Sequence, residues 1–249
     1  MVEPLLQVSG LNKSFGAVAA SRDLSFDLNP GEIHGLIGPN GAGKTSAINQ
    51  LSGELRPDSG SIRFDGRDIT RLSVPARARL GLARSFQITS VFDRLTTAQN
   101  LALAIQAHAG HSFRFWRRAE RDPGLTGPTR QALERVGLEA RAEVAAANLS
   151  HGEKRQLEVG MALAGEPRVL LLDEPMAGMG PGGTVELSRL IRALKGSLAI
   201  LLVEHDMDVV FSLADRVTVL DYGRAIASGT PEEIRADPAV RKAYLGEEA

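Results

Sequence analysis

Residues 38–45 read G-P-N-G-A-G-K-T, which satisfies the pattern G-x-x-x-x-G-K-[ST]. Ile33-His34-Gly35-Leu36-Ile37 precedes it, a short and largely apolar run suited to a buried strand. Ser46-Ala47-Ile48-Asn49-Gln50-Leu51 follows and suits the first turns of a helix. Strand, glycine loop and helix in this order give the pattern its chemical meaning. Glycines let backbone N–H groups turn inward and approach phosphate oxygens with no Cβ in the way. A helix start adds unpaired donors and the positive end of a dipole. Gly38, Pro39, Asn40, Gly41, Ala42, Gly43, Lys44, Thr45 and Ser46 are therefore the candidate phosphate-binding residues. Lys44 would reach the β- and γ-phosphates of ATP as a point charge, and the Thr45 hydroxyl would bind Mg²⁺.

A chain of 249 residues buries enough surface to build a core without staples. With a formal net charge of −1, nothing global favours nucleic acid or an anionic membrane as a partner. The absence of cysteine excludes disulfides and thiol chemistry. No apolar run approaches the ~18–20 residues needed to span a bilayer. Met1-Val2-Glu3-Pro4 lacks a basic region followed by an apolar one, so no secretory signal is expected.

Along the chain, residues 5–8, 11–15 and 24–28 are strand-like, and Asn29-Pro30-Gly31 marks a turn before the strand that feeds the loop. Residues 61–64 form another strand candidate, with a hairpin signal at Asp65-Gly66. Between Thr96 and Leu163 the pattern turns helical, with breaks expected at Gly110, Pro123-Gly124, Gly127-Pro128 and Gly137. Two unbroken apolar runs, 169–172 and 198–203, fit parallel strands buried on both faces. Residues 217–220 and 225–228 suggest a hairpin, and 231–245 a helical tail. The expected architecture is one α/β domain over 1–249. Its core is a mainly parallel sheet, with an antiparallel N-terminal part, a helical lobe inserted at about 88–165 and a C-terminal helical tail from about 231 to 249.

The run Val169-Leu170-Leu171-Leu172 ends in Asp173-Glu174-Pro175. Acids at the C-terminal end of a buried strand face the ligand crevice of an open α/β sheet. Asp173 would hold Mg²⁺ through water, and Glu174 would polarise the water that attacks the γ-phosphate. A strand followed by an ordinary solvated turn looks the same; the phosphate loop upstream favours the catalytic reading. In Leu149-Ser150-His151-Gly152-Glu153, Ser150 and Glu153 have capping-box spacing, so a helix is expected to start there, continued by Leu157, Met161 and Ala164.

Leu-Ser-x-Gly-Glu followed by that acidic strand end resembles the signature of the ATP-binding-cassette (ABC) ATPases, and the resemblance covers nearly the whole chain. It implies the P-loop NTPase fold of that family's nucleotide-binding domain, with ATP and Mg²⁺ as cofactors and ATP hydrolysis as the activity. It also implies further roles. Gln87, after Arg84-Ser85-Phe86, would complete the Mg²⁺ shell and sense the membrane partner. His205, in Val203-Glu204-His205-Asp206, would contact the γ-phosphate. Phe15 would stack on adenine, and Ser150 and Gly152 would meet ATP bound to a second subunit across a head-to-tail dimer. Two positions depart from the family pattern: His151 stands where many relatives have Gly, and Gly180 where most have an Asp that bonds across the dimer.

Asp173-Glu174-Pro175-Met176-Ala177-Gly178-Met179, Val203-Glu204-His205-Asp206-Met207 and the C-terminal Gly229-Thr230-Pro231-Glu232-Glu233-Ile234 with Ala243-Tyr244-Leu245-Gly246 resemble the ATPase subunits of branched-chain amino-acid importers, a group whose relatives carry urea, amides and other small polar solutes. That likeness implies membrane permease subunits, a second ATPase subunit (the same chain or a paralogue), an indirect extracytoplasmic solute-binding protein, and a place on the cytoplasmic face of the inner membrane. An exporter ATPase, for lipopolysaccharide for example, would share the enzymology. A soluble cassette acting on DNA or ribosomes usually has a long coiled-coil insertion or two cassettes, neither of which is present. Residues 111–121 (H-S-F-R-F-W-R-R-A-E-R) form a basic stretch with three aromatics, suited to an amphipathic helix that packs in the lobe or to contact with a membrane-embedded partner.

Overall fold

The computed structural model describes residues 3–85, 91–108 and 123–245. Gln87 and the aromatic stretch 111–121 lie outside the described residues. Backbone contacts divide the chain into two compact units, one of residues 1–84, 168–175 and 194–249, the other of residues 85–167 and 176–193.

The first unit holds two sheets. Strands β1 (Leu6–Phe15), β2 (Val18–Leu28), β4 (Ser59–Phe64) and β5 (Arg67–Asp68) form an antiparallel sheet in the order β2-β1-β4-β5. The two strands expected at 5–8 and 11–15 are one, because register shifts near Gly10 (φ 60) absorb the break in pattern as bulges. The turn at Asp65-Gly66 has both central residues in the left-handed region (φ 50 and 72), which is the geometry that matches strand twist in a two-residue hairpin.

The second sheet contains β3 (Ile33–Ile37), β6 (Leu82–Arg84), β7 (Val169–Asp173), β8 (Ala199–Val203), β9 (Arg216–Asp221) and β10 (Arg224–Gly229), in the order β10-β9-β3-β8-β7-β6. All pairings but β9–β10 are parallel. Strands β3, β7 and β8 are buried at every position, as unbroken apolar runs require. Helix α1 (Lys44–Ser52) places Ala47, Ile48 and Leu51 in one core with Leu6, Val8, Leu24 and Phe26 of the antiparallel sheet and with Leu36, Leu171, Leu201 and Val203 of the parallel one. Val217 and Val219, which alternate with core residue Leu220 along β9, join Ile37, Val210, Ile234 and Val240 in a second cluster. That cluster is built with α7 (Met207–Leu213), α8 (Pro231–Ala236) and α9 (Pro238–Leu245). The tail is thus two short helices, broken at Asp237, which ends α8 and whose carboxylate accepts from the N–H groups of Ala239 and Val240.

One polar chain crosses this core. His34, fully buried on β3, lies 3.0 Å from Glu32 through Nδ1 and 2.8 Å from the Thr218 hydroxyl through Nε2. Burial pushes the Glu32 carboxyl up. Its hydrogen bonds to His34 and the Asn29 N–H, with the Arg216 guanidinium at 3.4 Å, outweigh this and hold it below the usual value. A depressed folded-state pKa contributes stability above the ordinary carboxylate range that is lost as pH falls through it. Glu32→Gln is therefore expected to lower the urea midpoint more at about pH 7 than at about pH 4; an equal loss at both would refute the coupling.

The second unit carries α3 (Thr97–His108), α4 (Pro123–Val136), α5 (His151–Leu163) and most of α6 (Pro181–Leu194). The expected break at Gly110 lies outside the described residues, and the described part of α4 opens at Pro123; Gly127-Pro128 does not break that helix, since Pro128 lies inside it and removes one ladder bond. Gly137 (φ 71) does stop α4, with Leu138 N–H donating to the Leu133 carbonyl at 3.0 Å.

Candidate functional site

The C-terminal ends of three neighbouring parallel strands carry all the candidate residues of the first unit except Phe15. β3 runs into the phosphate loop, β8 into Glu204 and His205, and β7 into Asp173 and Glu174, in the spatial order β3-β8-β7. The loop's glycines serve two purposes. A Cβ on Gly38 would lie 2.3 Å from the Leu220 carbonyl oxygen, and one on Gly43 would lie 2.3 Å from that of Ala20. These two are glycines because protein backbone presses on the loop from β9 and β2. Gly41 (φ 81) has nothing within 4 Å of the equivalent position, so its side faces open space and its conformation sets the requirement.

The start of α1 has no side-chain cap, which leaves its first N–H groups to an anion. Lys44 is nearly buried and folds back over the loop, its Nζ donating to the carbonyls of Gly38 (2.7 Å) and Pro39 (3.1 Å). Burial pulls its ammonium down from the ordinary lysine value, against the acids Glu174 and Asp173 that raise it. An uncapped helix start, a glycine with open space beside it and a cation held at the loop fit a nucleotide's phosphates. Thr45 and Asp173 offer hard oxygen donors suited to Mg²⁺. Among the described residues no cluster of three or more acidic, histidine or cysteine side chains could hold a metal. Beside protein oxygens, Mg²⁺ would take ligands from phosphate and water.

Asp173 is buried at the end of β7, and Arg84 Nη2 donates to its Oδ2 at 2.9 Å. Burial raises the Asp173 carboxyl and the Arg84 charge opposes the rise. Glu174 is one of few non-glycine residues in the left-handed region (φ 46), and its N–H donates to the Val203 carbonyl at 2.8 Å. A strained backbone held by a neighbouring strand end is a sign of a functional position. His205 is exposed, its Nδ1 3.7 Å from a carboxylate oxygen of the buried Glu204. Asp206 caps α7, accepting from the N–H groups of Asp208 and Val209. Phe15 ends β1, is about half exposed, and has the Lys13 ammonium 5.7 Å from its ring centre.

Two arginines outside the sequence-derived set support this arrangement. Arg84 also donates to Asn49 Oδ1 (2.7 Å), Ser52 Oγ (3.4 Å) and Glu54 (2.9 Å). Arg77, fully buried on α2 (Val74–Arg79), donates to the carbonyls of Gln50, Leu51, Thr70 and Leu72 at 2.6–3.1 Å. It thereby closes the C-terminal end of the helix whose other end is the phosphate loop. Burial lowers its pKa to about 10, which leaves it charged. Little in the local sequence marks either arginine, since all these partners except Thr70 and Leu72 are distant along the chain.

In the second unit Ser150 caps α5 in a full capping box: its Oγ accepts from Glu153 N–H (3.3 Å) and Glu153 accepts from Ser150 N–H (2.8 Å). A Cβ on Gly152 would touch Met179 and Gly183 at about 3.5 Å, and one on Gly178 would lie 3.8 Å from the His151 ring. The helix start 150–152 and the segment 178–183 are thus packed against each other. Gly180 accepts from Thr184 N–H through its carbonyl at 3.1 Å and has open space where a side chain would stand.

Residues 21–177 match the family described as ABC transporter, and residues 226–249 match the one described as branched-chain amino acid ATP-binding cassette transporter. The high-affinity branched-chain amino acid transport ATP-binding protein LivG of Salmonella typhimurium is 40% identical over 99% of this chain and 100% of its own length. The lipopolysaccharide export system ATP-binding protein LptB of Acidithiobacillus ferridurans is 37% identical over 98% of each. Among solved structures, the ADP conformation of MJ1267, an ATP-binding cassette of an ABC transporter, superposes with a TM-score of 0.87 at 28% identity, over 99% of this chain and all of the other.

Proposed function

The chain belongs to the ABC transporter family as an ATP-binding subunit, and we propose that it hydrolyses ATP with Mg²⁺ to power an importer of branched-chain amino acids or related small polar solutes such as urea or amides. The observation that carries the hydrolytic part is the convergence of the phosphate loop, Asp173–Glu174 and His205 on three adjacent strand ends. In this reading the residues 38–46 hold the phosphates and Phe15 stacks on adenine. Thr45, Asp173 and Gln87 hold Mg²⁺, Glu174 takes a proton from the attacking water, and His205 contacts the γ-phosphate. ATP lies between this set on one subunit and Ser150 and Gly152 of a second subunit, identical or paralogous. The α5 dipole then favours the γ-phosphate's charge. Closure and reopening of the pair moves the permease subunits, which an extracytoplasmic binding protein supplies with solute. Attachment to the cytoplasmic face runs, in this reading, through those permeases; no helix among the described residues is long and apolar enough to cross a membrane.

The match at 226–249 supports the importer reading. The likeness to LptB favours an exporter as the second reading. Uptake of labelled leucine and urea by cells lacking the gene separates them. Restoration by the parent and not by Glu174→Gln is the expected result. Unchanged uptake together with a loss of surface lipopolysaccharide would overturn the importer in favour of the exporter.

A further inference from the structure

Arg84 is the last residue of β6, beside β7, with Ala83 level with Leu170 and Arg84 with Leu171. Its guanidinium is nearly buried and links α1 to β7, two elements that also pack together in the apolar core. One nitrogen, Nη2, holds Asp173 Oδ2 at 2.9 Å. The other, Nη1, is pinned at the far end of α1 by Asn49 Oδ1 (2.7 Å) and Ser52 Oγ (3.4 Å), and just beyond that helix by Glu54 Oε2 (2.9 Å). The phosphate loop and Thr45 are at the opposite end of the same α1. The planar fork therefore forms a strut between the helix that carries the loop and the strand that carries Asp173. It engages one carboxylate oxygen and so sets the direction of the other.

We propose that Arg84, through the Asp173–Arg84–Asn49 strut, is a positioning residue that aims the Asp173 carboxylate at the Mg²⁺ of the bound nucleotide. This rests on the reading of Asp173 as a Mg²⁺ ligand. Residues that orient a ligand from behind are commonly worth 10–100-fold in metal affinity. The proposal has a sign that charge alone does not share. Arg84 is a cation near a cation site, so simple charge removal would tighten Mg²⁺ binding. Loss of aim weakens it.

The test is calorimetric binding of a non-hydrolysable ATP analogue in EDTA and in Mg²⁺, for the parent, Arg84→Gln, Arg84→Lys and Asn49→Ala. The readout is the gain in affinity that Mg²⁺ confers. For Arg84→Gln the affinity in EDTA is expected to stay within about two-fold of the parent, while the Mg²⁺ gain falls by ~10-fold or more. Arg84→Lys retains the charge and the reach to Asp173 but loses the fork, so its gain lies between the two. Asn49→Ala leaves the Arg84–Asp173 pair intact and removes one anchor. It keeps the inference testable if an unpaired buried Asp173 prevents Arg84→Gln from folding, and its gain is expected to fall by ~2–3-fold, about the worth of one modest hydrogen bond. A parent without nucleotide binding or without a Mg²⁺ gain would overturn the underlying reading. A parent with that gain and variants that keep or increase it would overturn the strut alone. So would variants that lose affinity equally in EDTA and Mg²⁺.

Discussion

Glu174→Gln is expected to leave ATP bound and to slow its hydrolysis by at least ~10²-fold. The substitution keeps size and shape, and the backbone around it is fixed by other means. The Glu174 N–H is held by the Val203 carbonyl at 2.8 Å, and the left-handed φ of 46 is set by that bond and by the turn at the end of β7. Asp173 and Thr45, the proposed Mg²⁺ donors, are untouched. The carboxylate that polarises water is lost, and with it a negative charge that repels the γ-phosphate. The variant is therefore expected to accumulate as an ATP-bound dimer, visible by gel filtration with ATP and Mg²⁺. Adding Ser150→Arg should abolish that dimer. It removes the hydroxyl that caps α5, a cost of about 1 kcal/mol, and sets a bulky cation at the helix start. Hydrolysis at the parent rate would sink the assignment of Glu174. Slow hydrolysis in a protein that stays monomeric would keep the assignment and point to an obligate paralogous partner, as the missing side chain at Gly180 would favour.

The parts of this fold that were legible in the sequence are those whose cause is local. A loop of fixed spacing, unbroken apolar runs, a two-residue turn at Asp65-Gly66 and a capping box at Ser150–Glu153 each write their own geometry into a few adjacent residues. What was not legible depends on partners far along the chain. His34 reads as a polar interruption of an apolar strand until Thr218 and Glu32 are beside it. Nothing beside Arg77 and Arg84 in the sequence announces the carbonyls and carboxylates that surround them in the fold. The phosphate-loop glycines were identified for a partly different reason than the one the fold gives. Gly38 and Gly43 are pressed by the protein's own backbone, and only Gly41 faces open space. Gly127-Pro128 reads as a break because proline costs a helix one bond, but a helix that buries Leu125 and Leu133 on one face absorbs that loss. Gln87 falls outside the described residues, so its place beside Mg²⁺ rests on its position in the sequence.

Lys44→Ala is expected to weaken nucleotide binding by ~10²-fold or more, since a charge-assisted bond to phosphate contributes about 1.5–3 kcal/mol and this cation is placed for two phosphates. Lys44 Nζ rests 2.7 Å from the Gly38 carbonyl and 3.1 Å from that of Pro39. The loop is thus pre-organised around a cation, and without it those two carbonyl dipoles would face the incoming phosphates uncompensated. Burial disfavours the ammonium while Glu174 and Asp173 favour it, so its loss has opposing consequences for the free protein. Its unfolding temperature is expected to move little. The decisive quantity is the rise in that temperature on adding ATP with Mg²⁺. A ligand at a hundred times its dissociation constant stabilises by about 2.7 kcal/mol, and a hundred-fold weaker one at the same concentration by only ~0.4. The shift should nearly vanish in Lys44→Ala. It should not return in Lys44→Arg, because a planar fork cannot occupy the position of a compact ammonium between two loop carbonyls. Equal affinity of parent and Lys44→Ala by calorimetry would refute the phosphate loop as the nucleotide site.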